Sequence, residues 1–94
     1  MEPDGRSALV TGASTGIGRA TAQTLADAGA QVGLAARTKS ELEALAEEIE
    51  GAGGDALVVP TDVRDRNQVE SMVRTASEAF DGLDIMVNNA GVGH

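Results

Sequence analysis

The chain has 94 residues, with 15 Asp and Glu against seven Lys and Arg, so its formal net charge is -8. This acidity disfavours a nucleic-acid partner, because phosphate binding needs clustered basic side chains. A single Phe without Trp or Tyr also leaves no surface on which bases could stack. The absence of cysteine excludes disulfides, zinc-thiolate sites and thiol catalysis.

The first six residues are acidic and lead into only a short apolar run, which is not the pattern of a signal peptide or a mitochondrial presequence. No apolar stretch approaches the length of a membrane span. We therefore expect a cytoplasmic protein with no membrane partner. The length predicts one small domain.

A short apolar strand at residues 7–11 runs directly into a glycine-bearing turn and then a helix from about Gly16 to Ala28. Gly29 stands where a helix C-cap glycine belongs. Small residues dominate one face of this helix, which would let it pack close to a sheet. The residues that recur at helical spacing on this face are Ile17, Ala20, Thr21, Thr24, Leu25 and Ala28.

Residues 31–36 form a second predicted strand, apolar throughout, as in strands covered on both faces. In the helix that follows, Ser40 and Glu43 have the spacing of a capping box, which predicts Ser40 as the N-cap. This helix ends at Gly51-Ala52-Gly53-Gly54. Its apolar residues are Leu42, Leu45, Ala46 and Ile49.

A third apolar strand covers residues 56–59 and is ended by Pro60. The third helix follows and is closed by Asp81 and Gly82, before a fourth strand at residues 83–87. The apolar face of the third helix consists of Val69, Met72, Val73, Ala76 and Phe80.

Strands and helices therefore alternate, which predicts an α/β protein with a parallel sheet and right-handed crossovers. We expect a Rossmann-like three-layer α/β/α fold with four strands in the order 3-2-1-4. The first two helices would cover one face of the sheet and the third helix alone the other. The under-covered face and the unpaired fourth strand, residues 85–87, predict self-association.

The glycine segment has the spacing G-x-x-x-G-x-G and joins the first strand to the first helix. Gly12 would allow a sharp turn, Gly16 a close backbone approach, and Gly18 tight packing of the helix on the sheet. Together they would present helix N-terminal amides to a pyrophosphate, as in dinucleotide-binding folds. The alternative is an ordinary flexible turn.

Arg37 follows the second strand, where many dinucleotide-binding folds carry an acidic residue that binds the ribose 2'-hydroxyl. A guanidinium can instead pair with a 2'-phosphate, and Thr38 can add a hydroxyl donor. The sequence therefore favours NADP(H) over NAD(H). The alternative is a solvated arginine that pairs with the acidic second helix.

Polar residues also follow the third and fourth strands. Asp62 could accept a hydrogen bond from an adenine amino group, or it could form an Asx-turn or a helix cap. Asn88 and Asn89 could bridge neighbouring strand ends, with the Ala90 and Gly91 backbone close to a cofactor, or they could form a simple turn.

Three motifs closely resemble the classical branch of the short-chain dehydrogenase/reductase family, in the family's order and over essentially the whole chain. They are Thr11-Gly12-x-x-x-Gly16-Ile17-Gly18, Asp62-Val63 and Asn88-Asn89-Ala90-Gly91. The resemblance implies that Arg37 marks a preference for NADP. It also implies phosphate contacts from Ser14, Thr15 and Ile17, adenine contacts from Asp62 and the Val63 backbone, and ribose contacts from Asn89, Ala90 and Gly91.

The family's catalytic residues are a Tyr, a Lys four residues later, a Ser and a further Asn, all beyond the Asn-Asn-Ala-Gly motif. This sequence contains no tyrosine. The resemblance therefore implies that residues 1–94 are a partial Rossmann domain, the truncated N-terminal half of an oxidoreductase that interconverts carbonyls and alcohols with NADP(H). Two alternatives stay open at this point: a stand-alone nucleotide-binding module, and a structural half-fold with no site.

Overall fold

The computed structural model describes residues 6–14 and 16–88. In this part of the chain strands and helices alternate as β1 (Ser7–Thr11), α1 (Gly16–Asp27), β2 (Gln31–Ala36), α2 (Lys39–Gly51), β3 (Asp55–Pro60), α3 (Arg66–Ala79) and β4 (Ile85–Asn88). The strands form one parallel sheet in the order β3-β2-β1-β4, which confirms the predicted fold class and strand order. No helix within the described ranges is long and apolar enough to cross a membrane.

Each face of the sheet has its own apolar cluster, because alternate residues of a strand point to opposite faces. On one face, Val10 and Leu34 pack with the buried residues of α1 and α2. On the other face, Leu9 and Val59 pack against α3 alone. The predicted distribution of helices over the two faces is therefore confirmed. The buried residues of α2 and α3 are among those predicted: Leu42, Leu45, Ala46, Ile49, Met72 and Ala76.

The face of α1 that packs on the sheet shares only Leu25 with the predicted one, and Leu25 is partly buried. The buried residues of α1 are Gly18, Ala22 and Ala26, whereas Ile17 is 72% exposed. Because α1 carries small residues on more than one side, its hydrophobic pattern hardly distinguishes the faces. The steric requirement at Gly18 selects the face that lies against the sheet.

The N-cap of α2 also differs from the prediction. Thr38 is the N-cap, with an extended backbone and no side-chain capping hydrogen bond, and Ser40 lies inside the first turn. The helix therefore begins two residues nearer to β2 than the capping-box pattern predicts. Although Thr38 occupies the N-cap position, its hydroxyl is not used in capping the helix.

Close contact between α1 and the turn after β1 fixes the start of α1. Gly12 has a φ of 65°, in the left-handed region that favours glycine. Gly18 packs directly on this turn: a Cβ atom there would overlap the Gly12 carbonyl oxygen and lie 2.7 Å from the carbonyl carbon. No side chain larger than hydrogen fits at position 18 without moving the helix.

Hydrogen bonds join the start of β1 to the residues just before β4, and the end of β1 to the last residue of β4. At the start, Ser7 donates from its backbone amide to the Asp84 carboxylate at 3.0 Å and from its hydroxyl to the Gly82 carbonyl at 2.7 Å. At the other end, the Thr11 hydroxyl donates to the Asn88 side-chain oxygen at 2.9 Å. The two strands are therefore held in register at both ends.

Among residues 6–14 and 16–88, nothing covers the outer part of the α3 face beside β4 completely. Met86 lies opposite Leu9 in the strand register and so shares the face on which α3 packs. The Met86 residue is nevertheless 48% exposed. An apolar side chain of this size at an unpaired strand edge is the feature on which the predicted self-association depends.

Replacement of Gly18 by alanine is expected to lower the free energy of unfolding by about 2–3 kcal/mol, because the new methyl group overpacks the contact with Gly12. Urea unfolding monitored by circular dichroism measures the change. Gly51→Ala is the matched control, since a Cβ at Gly51, the last residue of α2, meets no atom within 4 Å. Equal stability of Gly18→Ala and wild type would contradict the assigned contact.

Candidate functional site

The carboxyl ends of three neighbouring parallel strands meet at one edge of the sheet and form an open cleft of about 430 Å³. This edge is where doubly wound α/β folds bind ligands. The turn after β1 and the loops after β2 and β3 all line it, with the loop after β2 in the middle because β2 lies between β1 and β3 in the sheet. The residues that line the cleft are Gly12, Ser14, Ala36, Arg37, Thr38, Glu41, Thr61, Asp62, Val63 and Arg64.

Most of the predicted site residues that the structure describes line this cleft. They are Gly12, Ser14, Arg37, Thr38, Asp62 and Val63. Three others lie in the first turn of α1 and do not line it: Gly16, Ile17 and Gly18. The remaining predicted residues lie outside the described part of the chain: Thr15, Asn89, Ala90 and Gly91.

The glycine turn brings the N-terminus of α1 to the edge of the sheet. The Ala13 amide donates to the Ala35 carbonyl at 3.2 Å, which fastens the turn to β2 and uses that amide. Gly16, the first residue of α1, has a φ of 54°, and no atom lies within 4 Å of the position of a Cβ there. The first turn of a helix has N–H groups without intrahelical partners, and these favour an anion.

Arg37 is the exposed residue that directly follows β2, and it lines the cleft. Within residues 6–14 and 16–88 it forms no ion pair, so the alternative in which it pairs with the acidic α2 is not observed. Thr38 lies beside it with a side chain that makes no capping hydrogen bond. A guanidinium and a hydroxyl in the loop after β2 are therefore both available to a ligand in the cleft.

In the loop after β3, Asp62 forms a bidentate ion pair with Arg64. Its Oδ1 accepts from Arg64 Nε at 3.1 Å and its Oδ2 accepts from Arg64 Nη2 at 3.0 Å. The Arg64 backbone amide also donates to Oδ1, at 3.0 Å. The side-chain hydrogen bonds, followed by the backbone bond, lower the pKa of Asp62 from 3.8 to about 2. The carboxylate is thus ionised at neutral pH and oriented by its neighbour.

The structure decides between the two local alternatives for Asp62. The Asp62 carboxylate accepts a hydrogen bond from the backbone amide of residue 64, which makes an Asx-turn. The N-cap of α3 is instead Asp65, which accepts from the Asn67 amide at 3.0 Å. Gln68 reaches back from the first turn of α3 and accepts from the Asp62 amide at 2.8 Å. The loop after β3 is therefore tied to the start of α3 by several short-range bonds.

Asn88 bridges two strand ends, one of the two alternatives considered for it. Its side-chain oxygen accepts from the Thr11 hydroxyl, which joins the last residue of β4 to the last residue of β1. This bond braces the sheet where the glycine turn begins.

The sequence did not single out Ala36, Glu41, Thr61 or Arg64 as cleft residues. Glu41 lies in the first turn of α2, four residues after Arg37, and the unexpectedly early start of α2 accounts for its position. Thr61 is buried and bonds to Val59, so its role is structural. For Arg64, the available signal was the Asx-turn spacing, which places residues 62 and 64 together.

A family model for short chain dehydrogenases matches residues 6–94. The chain belongs to this family. It is 48% identical over 88 residues to glycine betaine reductase ATRR of Emericella nidulans, and 43% identical over 88 residues to the 3-oxoacyl-[acyl-carrier-protein] reductase FabG of Staphylococcus aureus. These matches cover 94% and 93% of the chain, but only 7% and 36% of the respective relatives. The chain therefore spans a small part of the curated relatives it matches.

Solved structures agree with this family assignment. A metagenomic short-chain oxidoreductase crystallised in complex with NADP superposes with a TM-score of 0.89 at 41% identity. The match covers 96% of this chain and 41% of that protein. The fold and strand order described above are thus those of short-chain oxidoreductases.

The pairing of Asp62 with Arg64 predicts a titration at unusually low pH. Because the folded pKa, about 2, lies below the ordinary 3.8, the pair's contribution to stability is present above about pH 4 and is lost as the pH falls toward 2. Carboxyl ¹³C NMR measures this titration directly. In Arg64→Gln the pKa of Asp62 should rise toward 3.8, whereas Arg66→Gln, two residues away, should leave it low.

Proposed function

We propose that this chain is the NADP(H)-binding, N-terminal part of a short-chain oxidoreductase whose whole activity is hydride transfer between NADP(H) and a carbonyl or alcohol. One observation carries the proposal: Arg37, without an ion pair among the described residues, faces a cleft that also contains the glycine turn at Gly12. A guanidinium in the same cleft as a glycine turn of the phosphate-binding kind suits a dinucleotide that carries a 2'-phosphate in addition to its diphosphate.

The residues at this edge fit such a cofactor. The diphosphate would be held by the glycine turn and the first turn of α1, which offers N–H groups without intrahelical partners. The adenine would lie between the loops after β2 and β3, and the nicotinamide, when bound, supplies or accepts the hydride. In this proposal the contacts come from Gly12, Ser14, Thr15, Gly16, Ile17, Gly18, Arg37, Thr38, Asp62, Val63, Asn89, Ala90 and Gly91.

The preference for NADP(H) over NAD(H) follows from charge at the end of β2. Arg37 can form charge-assisted hydrogen bonds with a 2'-phosphate, and the Thr38 hydroxyl can donate another. Support also comes from the solved relative that binds NADP and is 41% identical. Glu41 lies in the same cleft and opposes an anion there, so the guanidinium must outweigh one nearby carboxylate.

The chain by itself is proposed to bind the cofactor without reducing a substrate. Residues 1–94 would be a partial Rossmann domain, because the relatives it matches are several times longer. Carbonyl reduction needs a proton donor as well as the hydride, and the family supplies it from a tyrosine that this sequence lacks. The substrate-binding and catalytic residues would belong to further sequence.

A second candidate function is a non-catalytic half-fold that associates with a second copy of itself. The observation that favours it is the exposure of Met86 on the uncovered part of the α3 face. Apolar side chains at an unpaired strand edge promote pairing with another chain.

Arg37→Ala tests the principal proposal. We expect NADPH affinity to fall by about 10- to 150-fold while NADH affinity changes little, because loss of a charge-assisted hydrogen bond costs about 1.5–3 kcal/mol. Isothermal titration of the purified chain with each dinucleotide measures both constants. Arg74→Ala removes the same charge from the exposed side of α3 and serves as the control.

Two results would contradict the proposal in different ways. If the wild-type chain bound neither dinucleotide, this chain would have no cofactor site of its own. If Arg37→Ala weakened NADPH and NADH equally, the site would stand but the 2'-phosphate would not be what Arg37 recognises.

Met86→Lys tests the association. Sedimentation velocity over a range of concentrations should show a self-associating wild type and a variant shifted toward monomer, because a buried lysine opposes strand pairing. Val63→Lys is the control, since Val63 is another exposed apolar residue, 38% accessible, but lies at the cleft. A wild type that stays monomeric at high concentration would remove the second candidate.

A further inference from the structure

We propose that Arg64 is a positioning residue for cofactor selectivity: it holds the Asp62 carboxylate so that Arg37 remains the open cation of the cleft. This inference rests on the proposed function and adds a determinant outside the predicted site residues. It concerns the discrimination between dinucleotides with and without a 2'-phosphate, and not the adenine contact itself.

The contact between Arg64 and Asp62 uses both carboxylate oxygens. Two side-chain donors and one backbone donor of Arg64 reach them, all within 3.0–3.1 Å. The Arg64 side chain is 73% exposed, whereas that of Asp62 is 28% exposed. Arg64 therefore engages both carboxylate oxygens and is the more exposed partner of the pair.

The cleft contains as many positive as negative side chains, but they are unevenly paired. Two guanidinium groups, Arg37 and Arg64, face two carboxylates, Glu41 and Asp62. Only one ion pair links these four groups, between residues 62 and 64. Arg37 lines the same cleft as Asp62, and after the hydrogen bonds and charge of Arg64 it makes a further, smaller contribution to lowering the Asp62 pKa. The two are thus close enough to influence one another across the cleft.

Loss of the Arg64 side chain would leave Asp62 as an uncompensated carboxylate in this space. It would then either attract Arg37 or repel a dianionic 2'-phosphate, and both effects reduce the preference for NADP(H). NADH carries no charge at that position and would be affected much less. The reduced preference for NADP(H) therefore requires the Asp62 charge. A direct contact of Arg64 with the phosphate would not require it, so removal of that charge distinguishes the two explanations.

The experiment compares the ratio of NADPH to NADH dissociation constants in the wild-type chain, Arg64→Gln and Asp62→Asn/Arg64→Gln. We expect Arg64→Gln to reduce the preference for NADPH about three- to tenfold. The double variant should return to within about twofold of wild type, since the uncompensated charge is gone. The ratio cancels any change in adenine binding, because adenine is common to both ligands.

Two further variants sharpen the comparison. Arg66→Gln removes an equal charge from an exposed position two residues away that does not line the cleft, and should leave the ratio unchanged. Arg64→Lys keeps the charge but loses the fork that reaches both oxygens, so it should recover part of the preference. Because the Arg64 side chain is mostly exposed, these variants should fold as the wild type does, which circular dichroism verifies.

Each outcome supports or overturns a defined statement. A wild-type chain that binds neither dinucleotide, or binds both equally, overturns the proposed function and this inference together. An unchanged ratio in Arg64→Gln, beside a wild type that prefers NADPH, overturns only the role of Arg64. A reduced ratio that the double variant fails to recover shows Arg64 on the phosphate itself and overturns the positioning role.

Discussion

The close packing of α1 on the turn after β1 is the constraint on which the rest of the site depends. Gly18 lies against the Gly12 carbonyl with no room for a side chain, and Gly12 itself takes a left-handed backbone. This contact aims the start of α1 at the carboxyl edge of the sheet. Because the neighbouring strands are parallel, the loops after β2 and β3 end at the same edge, and a cleft forms between segments distant in sequence.

Within that cleft, the two arginines have different roles because their surroundings differ. Arg64 lies in a loop where an Asx-turn brings a carboxylate to it, and the two form a closed pair. Arg37 follows a strand directly and has no partner of this kind among the described residues. An acidic chain thus has an accessible positive group at the edge of the sheet where doubly wound folds bind ligands.

The sequence was sufficient for the strands and their order, because uninterrupted apolar runs separated by helical patterns admit few arrangements. The sequence pattern was misleading for α1, because small residues lie on several sides of the helix and the packing face is selected by Gly18. It was also misleading for α2, where a capping-box pattern predicted the N-cap at Ser40 and the structure has it at Thr38. Most cleft residues were found through strand ends and motifs. Glu41 and Arg64 were missed because their positions depend on where a helix begins and how a loop turns.

The position of β1 in the middle of the sheet has a consequence for how the chain acquires its structure. One edge of β1 pairs with β2 and the other pairs with β4, which comes last of the four strands in the chain. The bonds from Ser7 to Asp84 and from Thr11 to Asn88 each join residues 77 positions apart in the sequence. During synthesis on the ribosome, β1, β2 and β3 can associate early, while the central strand keeps an open side. Because closing such long loops costs chain entropy before the contacts form, we expect the sheet to be completed late in folding.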